Sequence, residues 1–145
     1  MPEIVIENTT SIEVEKVWSL LTDINSYPKY VKFVLTIKDP AEAFKEGIYW
    51  TDITDIVWIP LSIKHRIIKV EKNKKFAYEV FLPFGGTMME EFELITCKEG
   101  TKIYSKIELT FKNYLLDLVF GPILKKRIRT MWQETYGNLE AISRS

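Results

Sequence analysis

A lone histidine lies in a stretch whose alternating pattern would turn it toward the inside of the molecule. His65 shares strand parity with Ile63 and Ile67, and its ordinary pKa lies near neutrality. An inward imidazole could hydrogen-bond to a ligand carbonyl or act as a general base. The sequence assigns it no serine, cysteine or carboxylate partner, so the alternative is a structural or surface histidine.

A glutamate within an apolar row is the second candidate for chemistry. Glu90 falls on the strand face of Met88 and Phe92, where desolvation would raise its pKa unless the carboxylate is paired. Such a glutamate could be the acid or base of an enolisation or cyclisation, or could orient a polar ligand group. Alternatively, Met88 and Met89 exchange faces through a bulge near Gly85-Gly86, and Glu90 lies in solvent.

One further strand carries paired candidates. Asp52 and Asp55 lie on opposite faces by parity, so one of them should point inward unless the strand is at an edge. Trp50 and Trp58 share parity, and an exposed pair of this kind would indicate a docking surface.

Common catalytic and cofactor motifs are absent from the sequence. It contains no G-x-S-x-G, H-E-x-x-H, C-x-x-C, G-x-x-x-x-G-K-[ST] or G-x-G-x-x-G. One histidine and one cysteine, Cys97, cannot supply a metal site of the usual kind, and a single cysteine excludes an internal disulfide. We expect no metal and no cofactor.

Charge and hydropathy exclude further classes of function. Twenty basic and twenty acidic residues cancel, which argues against a nucleic-acid partner. The opening MPEIVIENTT is acidic and alternating rather than a signal peptide, and no apolar run is long enough to cross a bilayer. We expect a cytoplasmic protein without an integral membrane segment. The sequence leaves transient contact with a membrane as an alternative.

Periodicity predicts the elements that position these residues. Glu3–Glu7 alternates as a short strand, and the T-x-x-E pattern of Thr10 to Glu13 predicts a capping box that opens a helix. Pro28 should stop that helix because it disfavours helical geometry at Tyr27. The helical stripe consists of Val14, Val17, Trp18, Leu21 and Ile24.

From Ile48 to Phe111 the period is two, and turn residues divide the stretch into five strands. Their short connections predict an antiparallel meander with one apolar face. After Phe111 a long closing helix follows, which Gly121-Pro122 should interrupt. Its basic run at 125–129 is interpreted as a solvated face, with anionic lipid or a partner as the alternative. We predict one α+β domain over residues 1–145.

The order and spacing of four segments resemble the START-like, birch-pollen-allergen-like superfamily, in particular its polyketide cyclase/dehydrase and coenzyme Q-binding branch. The segments are TTSIEVEKVWSLLTDINSYPKYV, HRIIKVEKNKKFAYEV, FELITCKEGTKIYSKIEL and FGPILKKRIRTMWQETYGNLEAI. The resemblance covers essentially the whole chain and implies a helix-grip fold, in which a curved antiparallel sheet surrounds a long C-terminal helix and an apolar tunnel. It implies no single activity, because the superfamily includes carriers, receptors, cyclases and chaperone cofactors.

In a helix grip, the segment after the first long helix crosses the open end of the cavity. Tyr27, Tyr30 and Phe33 would then line or cover its mouth, or else they fill the end of the core. The residues that we expect to contact a ligand are Tyr27, Tyr30, Phe33, Tyr78, Val80, Met88, Glu90, Phe92, Ser105, Ile107, Phe120, Leu124, Ile128 and Trp132.

Three functions follow as hypotheses. The first is a monomeric or homodimeric protein that binds or transports a hydrophobic small molecule such as a lipid, isoprenoid, quinone or polyketide. The second is a cyclase or dehydratase, which requires at least two polar side chains to converge in the cavity, with Glu90, His65 or Tyr78 moving protons. The third is an interaction or assembly protein that acts through its outer surface.

Overall fold

A computed structural model describes residues 3–55 and 58–143. The strands are β1 Glu3–Thr10, β2 Val34–Asp39, β3 Tyr49–Asp55, β4 Pro60–Glu71, β5 Lys75–Phe81, β6 Gly86–Cys97 and β7 Gly100–Phe111. The helices are α1 Val14–Thr22, α2 Tyr27–Tyr30, α3 Tyr114–Gly137 and α4 Leu139–Ser143, and a 3₁₀ turn spans Ile24–Ser26. The predicted α+β class is confirmed.

The strands form one antiparallel sheet in the order β1-β7-β6-β5-β4-β3-β2. The five predicted strands and their meander are confirmed as β3 to β7. The segment between the first helix and Ile48, in which no strand is predicted, contains β2. This edge strand shifts register against β3 twice, near Val34 and near Ile37, so its side chains show no clean alternation that a period-two search could detect.

The long helix α3 packs on the inner face of the curved sheet, which makes the fold a helix grip. Trp132 lies with its ring centroid 5.1 Å from that of Phe92 on β6, and Tyr136 hydrogen-bonds to Ser105 on β7. On another side of α3, the Arg129 guanidinium donates to the Val5 carbonyl of β1 over 2.9 Å. These contacts place the core between the sheet and one stripe of the helix.

The start of α1 differs from the predicted capping box. Thr10 belongs to β1, and α1 begins at Val14 with Glu13 as an N-cap whose side chain makes no capping hydrogen bond. The Thr10 and Ser11 hydroxyls hydrogen-bond to the Glu140 carboxylate of α4, over 3.4 and 2.9 Å. The prediction was wrong because a distant carboxylate and the sheet compete successfully for Thr10.

The two proline predictions also need correction. Pro28 lies in the first turn of α2, where a missing N–H has no consequence, and Tyr27 adopts helical angles of −51° and −40°. Similarly, α3 continues through Pro122 without interruption. Pro122 has no N–H to donate to the Leu118 carbonyl, four residues earlier. Both residues are exposed, so water can hydrogen-bond to that carbonyl instead.

The predicted aromatic pair does not share a face. Trp50 is buried on β3, whereas Trp58 follows the end of that strand and is 64% exposed. The predicted strand also included residues 56 and 57, which lie outside the described residues. No helix in the described part of the chain is long and apolar enough to cross a membrane.

The turn between β6 and β7 depends on a glycine. Gly100 has a φ of +138°, and a Cβ at this position would lie 2.3 Å from the Thr10 carbonyl oxygen and 2.8 Å from the Ser11 carbonyl carbon. Because both obstacles are backbone, no side-chain rotation can relieve the overlap.

We expect Gly100→Ala to lower the free energy of unfolding by about 2 kcal/mol or more, through backbone strain and displacement of the end of β1. Urea denaturation measures the change. The control is Gly137→Ala at the end of α3, where a Cβ would meet nothing within 4 Å. That variant should be neutral or slightly more stable. Equal stability of the two variants would contradict the close approach at Gly100.

Candidate ligand-binding site

A small cavity lies between the inner face of the sheet and α3. Its volume is about 30 Å³, which is room for about one water molecule. The side chains around it are mainly aromatic and apolar, with a polar group from β3, β4, β5 and β6. They are Tyr27, Phe33, Val34, Trp50, Asp52, Thr54, His65, Tyr78, Val80, Met88, Glu90, Ile128, Met131 and Trp132.

Strand register brings the polar side chains of this cavity together. Trp50 on β3 lies opposite His65 on β4, and Tyr78 on β5 lies opposite Glu90 on β6. Paired residues of antiparallel strands project from the same face of a sheet. Residues far apart in the sequence therefore converge because each falls on the inward half of its strand's alternation.

Glu90 is a buried carboxyl, 4% exposed. Burial raises its pKa from 4.5 to about 7. Hydrogen bonds from the Tyr78 hydroxyl and the Trp132 indole N–H oppose the rise, and the nearby charge of Asp52 adds to it. Near neutral pH the carboxyl can therefore either donate or accept a proton.

Asp52 is the second buried carboxyl of the cavity. The Thr54 hydroxyl donates to its Oδ1, and the Trp50 indole N–H donates to Oδ2 over 3.4 Å. Burial raises the pKa of Asp52 to about 6, although these two hydrogen bonds lower it. Asp55, by contrast, is the last residue of β3, and its Oδ1 lies 3.6 Å from a guanidinium nitrogen of Arg127 on α3. The prediction that only one of the two aspartates points inward is confirmed.

His65 is held as a neutral imidazole. Its ring stacks on Trp50 with centroids 4.3 Å apart and planes 7° apart, and burial lowers its pKa to about 3. The 3.8 Å between His65 Nε2 and Asp52 Oδ2 is therefore not a contact between two charges at neutral pH. Among residues 3–55 and 58–143, Nδ1 of His65 has no hydrogen-bond partner.

Three buried tyrosines complete the polar lining and its support. The Tyr27 hydroxyl donates to the Leu21 carbonyl, and the Tyr136 and Ser105 hydroxyls hydrogen-bond to each other. Burial is the largest cause that raises the pKa of Tyr27, Tyr78 and Tyr136. All three remain neutral phenols that can donate hydrogen bonds.

The structure brings most of the sequence-predicted residues to this cavity. The bulge that would have turned Glu90 to solvent is absent, since β5 and β6 pair without a register shift from Phe81 and Thr87 to Lys75 and Glu93. The predicted residues that line the cavity are Tyr27, Phe33, His65, Tyr78, Val80, Met88, Glu90, Ile128 and Trp132.

The remaining predicted residues lie elsewhere. Tyr30 borders a neighbouring groove beside Phe33 and Arg127. Phe120 is 42% exposed and packs against Phe84 on the outside, because the first turns of α3 extend past the cavity. Four others are buried in the core without lining the cavity: Phe92, Ser105, Ile107 and Leu124.

Sequence reasoning missed several lining residues. From the sequence, Trp50 is considered only as half of an exposed pair with Trp58, and neither Val34 nor Thr54 is predicted to line the site. The alternation of Trp50, Asp52 and Thr54 along β3 could have found them together, had the inward face of that strand been known. Within the described residues, no group of three or more His, Cys, Asp or Glu side chains could hold a metal ion.

No protein-family model matches the chain, and no curated protein matches it by sequence. Solved structures are similar in shape. Ara h 8.0201 matches with a TM-score of 0.73 at 14% identity, over 96% of this chain and 97% of that one. MLL2253 from Mesorhizobium loti matches with 0.75 at 19%, over 99% and 98%. The di-domain ARO/CYC BexL from the BE-7585A biosynthetic pathway matches with 0.79 at 10%, over 99% of this chain and 50% of that one. The chain therefore has the same helix-grip fold as these solved structures.

The pKa of Glu90 predicts a dependence of stability on pH. Because the pKa rises from 4.5 to about 7 on folding, the native state binds more protons in this window. The contribution of the Glu90 carboxyl to stability is complete below its pKa in the unfolded chain. That contribution is lost as the pH rises through its pKa in the folded protein. We expect Glu90→Gln to gain up to ~3 kcal/mol relative to the wild-type protein between about pH 4.5 and pH 8. Urea unfolding at several pH values measures this.

The control is Glu91→Gln, on the outer face of the same strand, which should show no such trend. Asp52 acts in the same direction between 3.8 and about 6, and His65 in the opposite direction between 6.5 and about 3. The difference between variant and wild type therefore reports Glu90 together with its electrostatic coupling to Asp52. A difference that does not change with pH would contradict a proton-binding carboxyl at this position.

Proposed function

We propose that the protein binds a hydrophobic small molecule, flat and bearing at least one hydrogen-bonding group, between its sheet and α3. The convergence of Asp52, His65 and Glu90 on one buried cavity supports this proposal. Buried polar groups reduce stability unless they are satisfied, and His65 Nδ1 has no partner in the described part of the chain. Such groups inside an aromatic cavity are typical of a ligand site.

Aromatic surfaces on several sides favour a flat ligand. The Tyr78 ring meets Trp50 edge to face at a centroid distance of 5.1 Å and an angle of 81°. Trp132 and Phe33 form a second such pair across the cavity, 5.5 Å apart at 76°. A planar molecule that enters between these rings exchanges one aromatic contact for another.

Binding requires the cavity to open. Ligand sites usually have volumes of roughly 300–1,000 Å³, whereas this cavity has about 30 Å³. The element best able to move is the segment of α2 and β2, which supplies Tyr27 and Phe33. It ends in an edge strand with two register shifts against β3, so few regular hydrogen bonds hold it.

A second candidate function is acid–base catalysis on the bound molecule. Two carboxyls with pKa values of about 6 and 7 beside a neutral imidazole suit proton transfer at a carbon next to a carbonyl. The ARO/CYC proteins StfQ and BexL share the fold over half of their own chains, which is compatible with a cyclase or dehydratase. Glu90 would be the acid or base, and Tyr78 would hydrogen-bond to a carbonyl.

The ligand site predicts the effect of filling the cavity. We expect 2-naphthol, a flat probe with one hydroxyl group, to bind the wild-type protein, and Val80→Phe to weaken its binding by about tenfold or more, roughly 1.4 kcal/mol. Isothermal titration calorimetry measures the affinity, and a thermal melt checks folding. The control is Val5→Phe on the outer face of β1. Unchanged affinity in a folded Val80→Phe protein would contradict binding at this cavity.

Ligand extraction separates the two functions. Wild-type protein and Glu90→Gln would be purified from the natural source or a host that makes the ligand, and bound molecules identified by mass spectrometry after solvent extraction. A binding protein should carry the same compound in both forms. A cyclase or dehydratase should carry an unconverted precursor in Glu90→Gln, for example one that retains the water lost on dehydration. An empty wild-type protein from both sources would count against both functions.

A further inference from the structure

The first half of α3 exposes an apolar stripe that the fold does not cover. Leu115, Leu118, Val119 and Ile123 follow the i, i+3, i+4, i+8 spacing of one helix face, and each is 46–65% exposed. Tyr114 at the start of the helix is 74% exposed. We call this stripe, with Tyr114, the outer face of α3.

The turn between β3 and β4 exposes further apolar side chains at the same end of the sheet as the start of α3. Trp58 and Ile59, between β3 and β4, are 64% and 55% exposed. The Trp58 ring lies 4.7 Å from the Arg127 guanidinium, which connects that turn to α3. An apolar stripe exposed along one helix face, such as the outer face of α3, is uncommon unless the surface meets another phase or partner.

The charges along the helix that carries this surface have mainly one sign, although Asp55 of β3 pairs with Arg127. From Lys112 to Gln133 the sequence has five cations, at positions 112, 125, 126, 127 and 129, and one carboxylate, Asp117. The whole protein has a formal net charge of zero. The segment that exposes the apolar stripe is therefore also the segment where positive charge concentrates.

We propose that the outer face of α3, with Trp58 and Ile59, docks on the surface of an anionic lipid bilayer. A helix with exposed apolar side chains and flanking lysines can lie in the plane of the interface, where its apolar face enters the acyl boundary. The lysines then meet anionic headgroups, while Trp58 and Tyr114 suit the interfacial zone. The concentrated positive charge favours a bilayer over a second copy of this neutral chain. Docking requires no ligand in the cavity.

Vesicle co-sedimentation of the full chain tests the proposal. We expect binding to phosphatidylcholine vesicles that contain phosphatidylserine, and weaker binding without phosphatidylserine or when salt is raised from about 0.1 M to about 1 M. Leu118→Gln with Val119→Gln should lower the partition coefficient by about tenfold for each side chain removed. Lys125→Gln with Lys126→Gln should lower it by about fivefold for each lysine.

Matched controls lie at the opposite end of the sheet. Ile95→Gln removes a side chain that is 42% exposed on β6, and Lys72→Gln with Lys74→Gln removes two exposed charges at the turn between β4 and β5. Binding by these variants should match the wild type. Three results would overturn the proposal: no vesicle binding, equal losses in the controls, or a dimer in sedimentation velocity that Leu118→Gln with Val119→Gln dissociates while vesicle binding is absent or unaffected.

Discussion

The continuous antiparallel register of β5, β6 and β7 is the interaction on which the other features depend. β6 and β7 pair without a shift from Gly86 and Phe111 to Cys97 and Gly100. Because side chains alternate between the faces of a strand, a slip by one residue would move Glu90 to solvent and Glu91 into the core. A slip of β5 by one residue would likewise turn Tyr78 away from Glu90, its partner on β6. The apolar face beneath α3, and with it the cavity, follows from this pairing.

Burial of ionisable groups lowers the stability of this fold near neutral pH. Glu90 and Asp52 reduce stability when they are charged in a site from which water is nearly excluded. The indole and hydroxyl groups that hydrogen-bond to them offset only part of that loss, since the pKa values remain raised. His65 responds in the opposite way and stays neutral. The result is a group of proton donors and acceptors whose pKa values are set mainly by burial.

The helix α3 has two different roles along its length. Its second half contributes Ile128, Met131 and Trp132 to the inner cavity. Its first half extends past the sheet and exposes Leu115, Leu118 and Val119. Pro122 lies near the transition, on the exposed side where the lost hydrogen bond is least harmful. One element therefore supplies both the wall of the candidate ligand site and the apolar surface outside it.

Local patterns in the sequence determined which elements form and which side chains face inward. The period of two predicted β3 to β7, and parity favoured inward positions for His65 and Glu90 while an exposed position stayed open for each. Only the tertiary structure decided which of those side chains meet. Trp50, Asp52 and His65 form a group because β3 pairs with β4 in one particular register, and Thr10 leaves its expected cap because Glu140 approaches from the far end of the chain. Cavity volume and the exposure of Phe120 likewise depend on how far α3 extends over the sheet. Alternation is a property of neighbouring residues, whereas register, packing distance and burial are set by contacts between segments that the sequence separates.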